Sequence, residues 1–268
     1  MGGTIRSALL LGLLTSIFLG VGYLFGGVFG ATIGLIIALA TNFISYWYSD
    51  KIVLWMYRAK KMDDKDINSM IEKLAKKMGI PKPKIYLVDT DVPNAFATGR
   101  SPKHSAVTVT RGLVEKLDDA EIEGVLAHEL AHIKNRDTLV STIAATLAGA
   151  LTWLAYLFYF GKGENRNALS FIFLFLFAPL AASLIRLAIS RNREYMADHT
   201  GAMISNPLKL ASALEKISNS VKHKPMKGSK STAHMFIVNP FSGTTLIELF
   251  STHPPTEKRV AALKSMIK

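Results

Sequence analysis

The sequence predicts a mainly α fold with a small β-sheet and about four membrane-spanning helices. Three observations carry this expectation. From residue 7 to residue 49 no side chain is charged. Two more uncharged stretches, 139–160 and 168–185, follow in the second half of the chain. Between the two halves, three short β-like runs sit among segments whose apolar residues recur at helical spacing. With 268 residues, 49% of them hydrophobic, the chain can form a sizeable core as well as the spans.

One helix over residues 7–49 would be roughly 64 Å long, about twice a bilayer core, so two spans fit better than one. The Gly26-Gly27 pair is the natural break, leaving helices over about 7–25 and 28–48. So long an apolar region exceeds that of a signal peptide. The short link 161–167 joins the later stretches into a second hairpin. Trp47, Tyr48, Trp55, Tyr156 and Tyr159 flank the spans as interfacial aromatics do.

Charge orients these segments. Of 32 Lys and Arg, 29 lie in 1–6, 51–136 and 191–268, whereas the links between paired spans hold only Lys162 and Arg166. The positive-inside rule then places both termini and the region between the hairpins in the cytoplasm. That bias accounts for the net charge of +12 without nucleic acid, and no basic patch interleaved with aromatics argues for DNA or RNA. The expected organisation is a transmembrane hairpin (1–50), a first cytoplasmic part (51–138), a second hairpin (139–190) and a second cytoplasmic part (191–268).

In the first cytoplasmic part, Asp63-Asp64 open an amphipathic helix with Ile67, Met70, Ile71, Leu74 and Met78 on one face, stopped by Gly79 and Pro81. The β-like runs 84–88, 95–98 and 106–110 follow, separated by turn residues. Asp118 with Glu121 then reads as a capping box for the next helix, whose core side is Ile122, Val125, Leu126, Leu130 and Ile133. Gly124 on this helix offers room for another element to approach. In the second part, a helix begins around residue 191, Asn206-Pro207 restarts one through about residue 219, and 222–231 reads as a loop. Thr252-His253-Pro254-Pro255-Thr256 leads into a last helix.

The helix after Asp118 carries His128-Glu129-Leu130-Ala131-His132. Histidines four apart lie on one helical face, so both imidazoles can close on one metal ion. Glu129 reaches a metal-bound water without binding the metal itself, which is the arrangement of metal-assisted peptide hydrolysis. Chance would give roughly 0.007 such matches in a chain of this composition. The sequence has no cysteine, so thiolate ligands and disulfides are excluded and any metal is held by His, Asp or Glu.

A catalytic zinc has three protein ligands and one open position. Candidates for the third are Glu194, Asp198, His199, His223, His234 and His253. Glu194 is the strongest, since it lies on an expected helix with Asp198 one turn later, placed to orient a ligand imidazole. An exposed ion pair of Glu194 with Arg191 or Arg193 is the plainer alternative. His104, His199, His223 and His234 have no partner at ligand spacing and read as surface histidines.

Taken together, the N-terminal apolar pair, Asn94-Ala95-Phe96-Ala97-Thr98-Gly99, the His128–His132 motif, Arg193-Glu194-Tyr195-Met196-Ala197-Asp198, and Ser251-Thr252-His253-Pro254-Pro255-Thr256 with Arg259 resemble the HtpX family. These are multi-pass membrane zinc metallopeptidases of protein quality control, related to the CAAX prenyl endopeptidases. The resemblance implies a zincin-type α+β core binding one Zn²⁺, with Glu194 as third ligand. It implies that Asn94, Ala95, Phe96, Ala97 and Thr98 form the edge strand beside the active site, able to take an extended peptide by strand addition. It also implies that His253 and Arg259 lie near the cleft, holding substrate or the transition-state oxyanion.

The expected function is therefore a membrane-embedded zinc endopeptidase with Glu129 as general base, acting at the cytoplasmic face on membrane or misfolded proteins. Two other readings stand beside it: a prenyl-protein processing peptidase, and a non-proteolytic membrane scaffold or chaperone that keeps the metal for structure. The expected partners are protein substrates and the lipid bilayer. Only about six residues separate His132 from the third expected span, so the metal should sit close to the membrane surface.

Overall fold

The computed structural model describes residues 2–147, 191–226, 230–241 and 254–267. The architecture is mainly helical with one small mixed sheet. Helix α1 (Gly2–Met56) is two helices meeting at Gly26 and Gly27, where Gly27 adopts φ 56°. A side chain is strained at that angle, which is why the turn falls on glycine. The chain doubles back there. A Cβ on Gly22 would overlap the Gly30 carbonyl, and one on Gly34 would overlap that of Phe18. Asn42 Nδ2 bonds Thr15 Oγ1 across the hairpin at 2.9 Å.

Both arms of this hairpin, Ser7–Leu24 and Gly26–Met56, are long and apolar enough to cross a membrane. The second arm runs past the expected end near residue 48 to Met56, since no glycine or proline interrupts it. Lys51 lies over the Tyr48 ring at 5.1 Å, and Arg100 over Trp47 at 4.6 Å. Most of the second expected hairpin, including its link and Arg186, lies outside the described residues.

After α1 come β1 (Lys60–Lys61) and α2 (Lys65–Met78). The Asp64 carboxylate caps α2 by accepting from the Asp66 and Ile67 amides, and Gly79 at φ 68° ends it. Ile67, Ile71, Leu74, Ala75 and Met78 are its buried face. Burial of side chains as large as these contributes about 1.5–3 kcal/mol each. The expected strands appear as β2 (Lys84–Val88), β3 (Ala95–Ser101) and β4 (His104–Thr110), the last two longer than the sequence suggested. Sheet order is β1-β2-β4-β3, with β2 and β4 parallel and the other pairs antiparallel. Strand β3 is thus an edge, as the family resemblance implies.

Thr110 caps the short α3 (Arg111–Lys116) through its hydroxyl. The motif helix α4 (Asp119–Lys134) starts on the expected capping box of Asp118 and Glu121. Arg136, at φ 58°, then reverses the chain into an apolar helix α5 (Asp137–Leu147). Val140, Ile143 and Leu147 of α5 pack with Leu10 and Leu14 of α1. Helix α6 (Arg191–Ile204) and helix α7 (Pro207–His223) complete the cover of α4, with Asn206 capping α7. Helix α7 continues through residues 222 and 223, which the sequence had suggested as loop. A 3₁₀ turn (Lys230–Met235) and α8 (Thr256–Ser265) end the described chain.

Two glycines let these helices approach α4 closely. A Cβ on Gly124 would lie 2.7 Å from the Leu210 amide nitrogen of α7, so this glycine does admit a neighbour. On α6, a Cβ on Gly201 would come within 2.9 Å of the His128 nitrogen. Both contacts fall inside the distance at which real side-chain carbons pack. They bring α6 against the turn of α4 that carries the motif.

Candidate metal centre

His128 and His132 project from one face of α4, and α6 brings Glu194 opposite them. The two Nε2 atoms are 3.2 Å apart, His132 Nε2 is 3.5 Å from Glu194 Oε1, and His128 Nε2 is 4.0 Å from Glu194 Oε2. Ligands about 2.1 Å from one tetrahedral ion lie about 3.4 Å from each other. The three donors already have nearly that spacing, and all lie within 4.8 Å of one another. The donor chemistry, two imidazoles and a carboxylate, fits a single zinc ion that keeps an open position.

Each imidazole is fixed from behind. Asp198 Oδ1 is 2.9 Å from His128 Nδ1, and Asp137 Oδ2 is 3.2 Å from His132 Nδ1. Carboxylates on both Nδ1 atoms hold the ring orientation and leave both Nε2 lone pairs for the metal. Asp198 follows Glu194 by one turn of α6, as the spacing suggests. Asp137 was missed by sequence reasoning; its signal was its place just past the motif helix, where the chain folds back. Arg193 pairs with Asp137. The plainer expectation of an exposed ion pair therefore does not describe Glu194, which is buried beside the histidines.

Behind Asp198 lies Arg259, 1% exposed. Its Nε and Nη2 donate to the two Asp198 oxygens at 2.8 and 2.7 Å, and Nη1 donates to the Ile237 carbonyl at 2.6 Å. Arg259 Nη1 is also 3.8 Å from Glu194 Oε2. Burial tends to raise the Asp198 carboxyl, but Arg259 outweighs it and holds the group down to about 2. Burial pushes His128 down to about 4, with Asp198 opposing and the nearby positive groups adding, so the ring is neutral as a ligand must be. Burial pushes Glu129 up to about 7; His132 opposes the rise, and Glu194 adds to it.

One cavity holds His128, Glu129, His132 and Glu194, and its wall includes Ala97 of β3 and Ser141 of α5. His234, read from the sequence as a surface histidine, also lines it. The ring is buried because its segment turns across the cavity, and its Nε2 lies 3.0 Å from the Ser141 carbonyl. His104, His199 and His223 are exposed, as expected. His253 lies outside the described residues.

Asn94 directly precedes the edge strand, which carries Ala95–Thr98 and reaches the cavity at Ala97, and the strand's outer side is covered. Asn94 is buried and its amide donates to Val238 O at 2.8 Å; Ala95 O accepts from the Ile237 amide at 3.0 Å. Phe96 packs on Phe236. Thr98 meets Thr142 at 3.1 Å, and the Thr138 hydroxyl donates to Gly99 O.

Comparison with known proteins agrees with this donor set. Residues 61–267 match peptidase family M48. The Protease HtpX homolog of Pyrococcus furiosus is 52% identical over 279 residues, covering 99% of this chain and 96% of that one. Its counterpart in Desulforapulum autotrophicum is 49% identical over 278 residues, covering 98% and 90%. Among solved structures, Ste24p of S. mikatae shares the fold at a TM-score of 0.56 and 21% identity, over 97% of this chain and 65% of that one. The family match spans more than three quarters of the sequence and the relatives resemble it along nearly all of it, so the chain belongs to peptidase family M48, among the HtpX proteases.

Proposed function

We propose that this chain is a membrane-bound zinc endopeptidase that hydrolyses peptide bonds of membrane or misfolded proteins at the cytoplasmic face, in protein quality control. The observation that carries the reading is the convergence of His128, His132 and Glu194 with Glu129 beside them in one buried cavity. His128, His132 and Glu194 would hold a zinc ion, which would supply Lewis acidity for peptide hydrolysis. Glu129, beside the ligands, would take a proton from the attacking water and later deliver one to the leaving amine. Asp198 and Asp137 hold the imidazoles, and Arg259 keeps Asp198 ionised.

Four spans and a cytoplasmic site are part of the same reading. The packing of α5 on the first arm of α1 supports a third span that leaves directly from the metal site. The charge bias supports the orientation. That His132 and Glu194 share a site supports an even number of crossings between them.

Glu129→Gln tests the assignment. The variant keeps the size of the side chain and all three ligands, so zinc content should equal wild type while cleavage of an unfolded test protein falls at least a hundredfold. Cleavage at the wild-type rate would remove Glu129 as the base.

A further inference from the structure

The outer edge of β3 is where an extended peptide would add as a strand, and the chain's own residues fill that place. Phe96 and Phe236 are antiparallel bridge partners, and the Ile237 amide donates to Ala95 O. Met235, Phe236 and Ile237 pass along the cavity that holds the metal ligands. An extended substrate pairing antiparallel with β3 would run in the same direction and use the same main-chain groups.

Side chains hold the segment as closely as its backbone does. The Phe236 ring, 1% exposed, sits 5.1 Å from Phe96, 5.3 Å from Tyr57 and 6.2 Å from Phe241. Tyr57 directly follows the last residue of α1, and its hydroxyl is hydrogen-bonded to Thr232. The segment is therefore fastened at one side to the end of a membrane-type helix. At the other, Ile237 O is tied to Arg259 and so to Asp198.

Resting on the peptidase reading above, we propose that residues 235–238 are a built-in occupant of the substrate strand's place on β3, and that the socket of Tyr57, Phe96 and Phe241 around Phe236 is a subsite for a large apolar side chain of an extended substrate. Substrate enters by exchange: its backbone takes over the bond to Ala95 O, and its aromatic or large aliphatic side chain takes the place of the Phe236 ring. Short or polar peptides lack the means to complete that exchange. Long unfolded apolar segments have it, and the occupant thus selects for them. Because Tyr57 sits at the end of α1, the bond to Thr232 couples release of the occupant to the membrane helix.

The absence of cysteine allows a clean test. In the zinc-loaded full chain in detergent micelles, Asn94→Cys with Val238→Cys pins the segment when oxidised. Cleavage of denatured casein should fall at least tenfold on oxidation and recover when a phosphine reductant opens the link. Equal rates in the two states overturn the proposal. Tyr57→Phe keeps the ring but removes the bond to Thr232. It should raise kcat/KM on casein about fivefold, the equivalent of one hydrogen bond of about 1 kcal/mol, at unchanged zinc content. An unchanged or lowered kcat/KM overturns it too, and decides the matter if the reduced cysteine pair is slow. Zinc-loaded wild type and variants that all leave casein intact would remove the peptidase reading itself and this proposal with it, whereas a fast cross-linked enzyme removes only the occupant.

Discussion

Replacing Arg259 with methionine keeps most of the side-chain volume and removes the charge behind the metal ligands. Arg259 makes both hydrogen bonds to Asp198 from the guanidinium and a third to Ile237 O. Burial tends to raise the Asp198 carboxyl, and Arg259, helped by His128, outweighs it and holds the group down to about 2. Removing one partner of a buried pair costs about 3–5 kcal/mol, because the other is left buried without its counterpart. In Arg259→Met the burial of Asp198 is no longer outweighed, and the carboxyl picks up a proton. A protonated Asp198 donates to His128 Nδ1, which moves the imidazole proton to Nε2 and blocks the ligand atom. Urea unfolding of the zinc-free protein in micelles should therefore show a loss of about 3–5 kcal/mol, and a chelator competition a zinc Kd about 10–100-fold higher. Arg259→Lys should rescue little, since a point charge cannot span both Asp198 oxygens and Ile237 O. A loss under 1 kcal/mol with unchanged zinc affinity would refute the reasoning.

Other consequences are accessible to similar measurements. Asp137→Asn should weaken zinc binding about 10–100-fold by loosening His132, read by the same competition, with Glu129 untouched. Gly201→Ala should cost about 1–3 kcal/mol of stability and lower zinc occupancy, because the added carbon presses on the backbone at His128. Burial pushes the Tyr57 phenol up to about 12, with the Thr232 bond pulling it part of the way back. Its folded pKa exceeds the ordinary 10.0, so its contribution to stability is complete below pH 10 and is lost as pH rises through about 12. In an ultraviolet titration, Tyr57→Phe should remove a step that ionises late, at about pH 12.

The parts of this structure written in local residue patterns were legible beforehand. The Gly26-Gly27 turn, the Asp118–Glu121 capping box and the spacing of His128 and His132 each involve residues within one turn, and each is found where the pattern places it. Glu194 required more, since α6 reaches α4 only through long-range packing; the pairing with Asp198 one turn on made it the best candidate. Strand β1 is two residues long and carries no periodicity to read. His234 looked like a lone surface residue because nothing near it in sequence is a ligand; its burial comes from Ser141, 93 residues away. The covering of β3 by Ile237 and Val238 is likewise a contact between distant segments, and neither segment shows it alone. Residues expected to form the second hairpin, and His253, lie outside the described residues.

Asp137 has two positions at once. It is the carboxylate behind His132, and it is the first residue of α5, which packs on the first arm of α1. The metal site is therefore tied to the apolar helices through this side chain, as well as through the contacts of Thr138 and Thr142 with β3. A tilt or shift of α5 moves a ligand's partner directly.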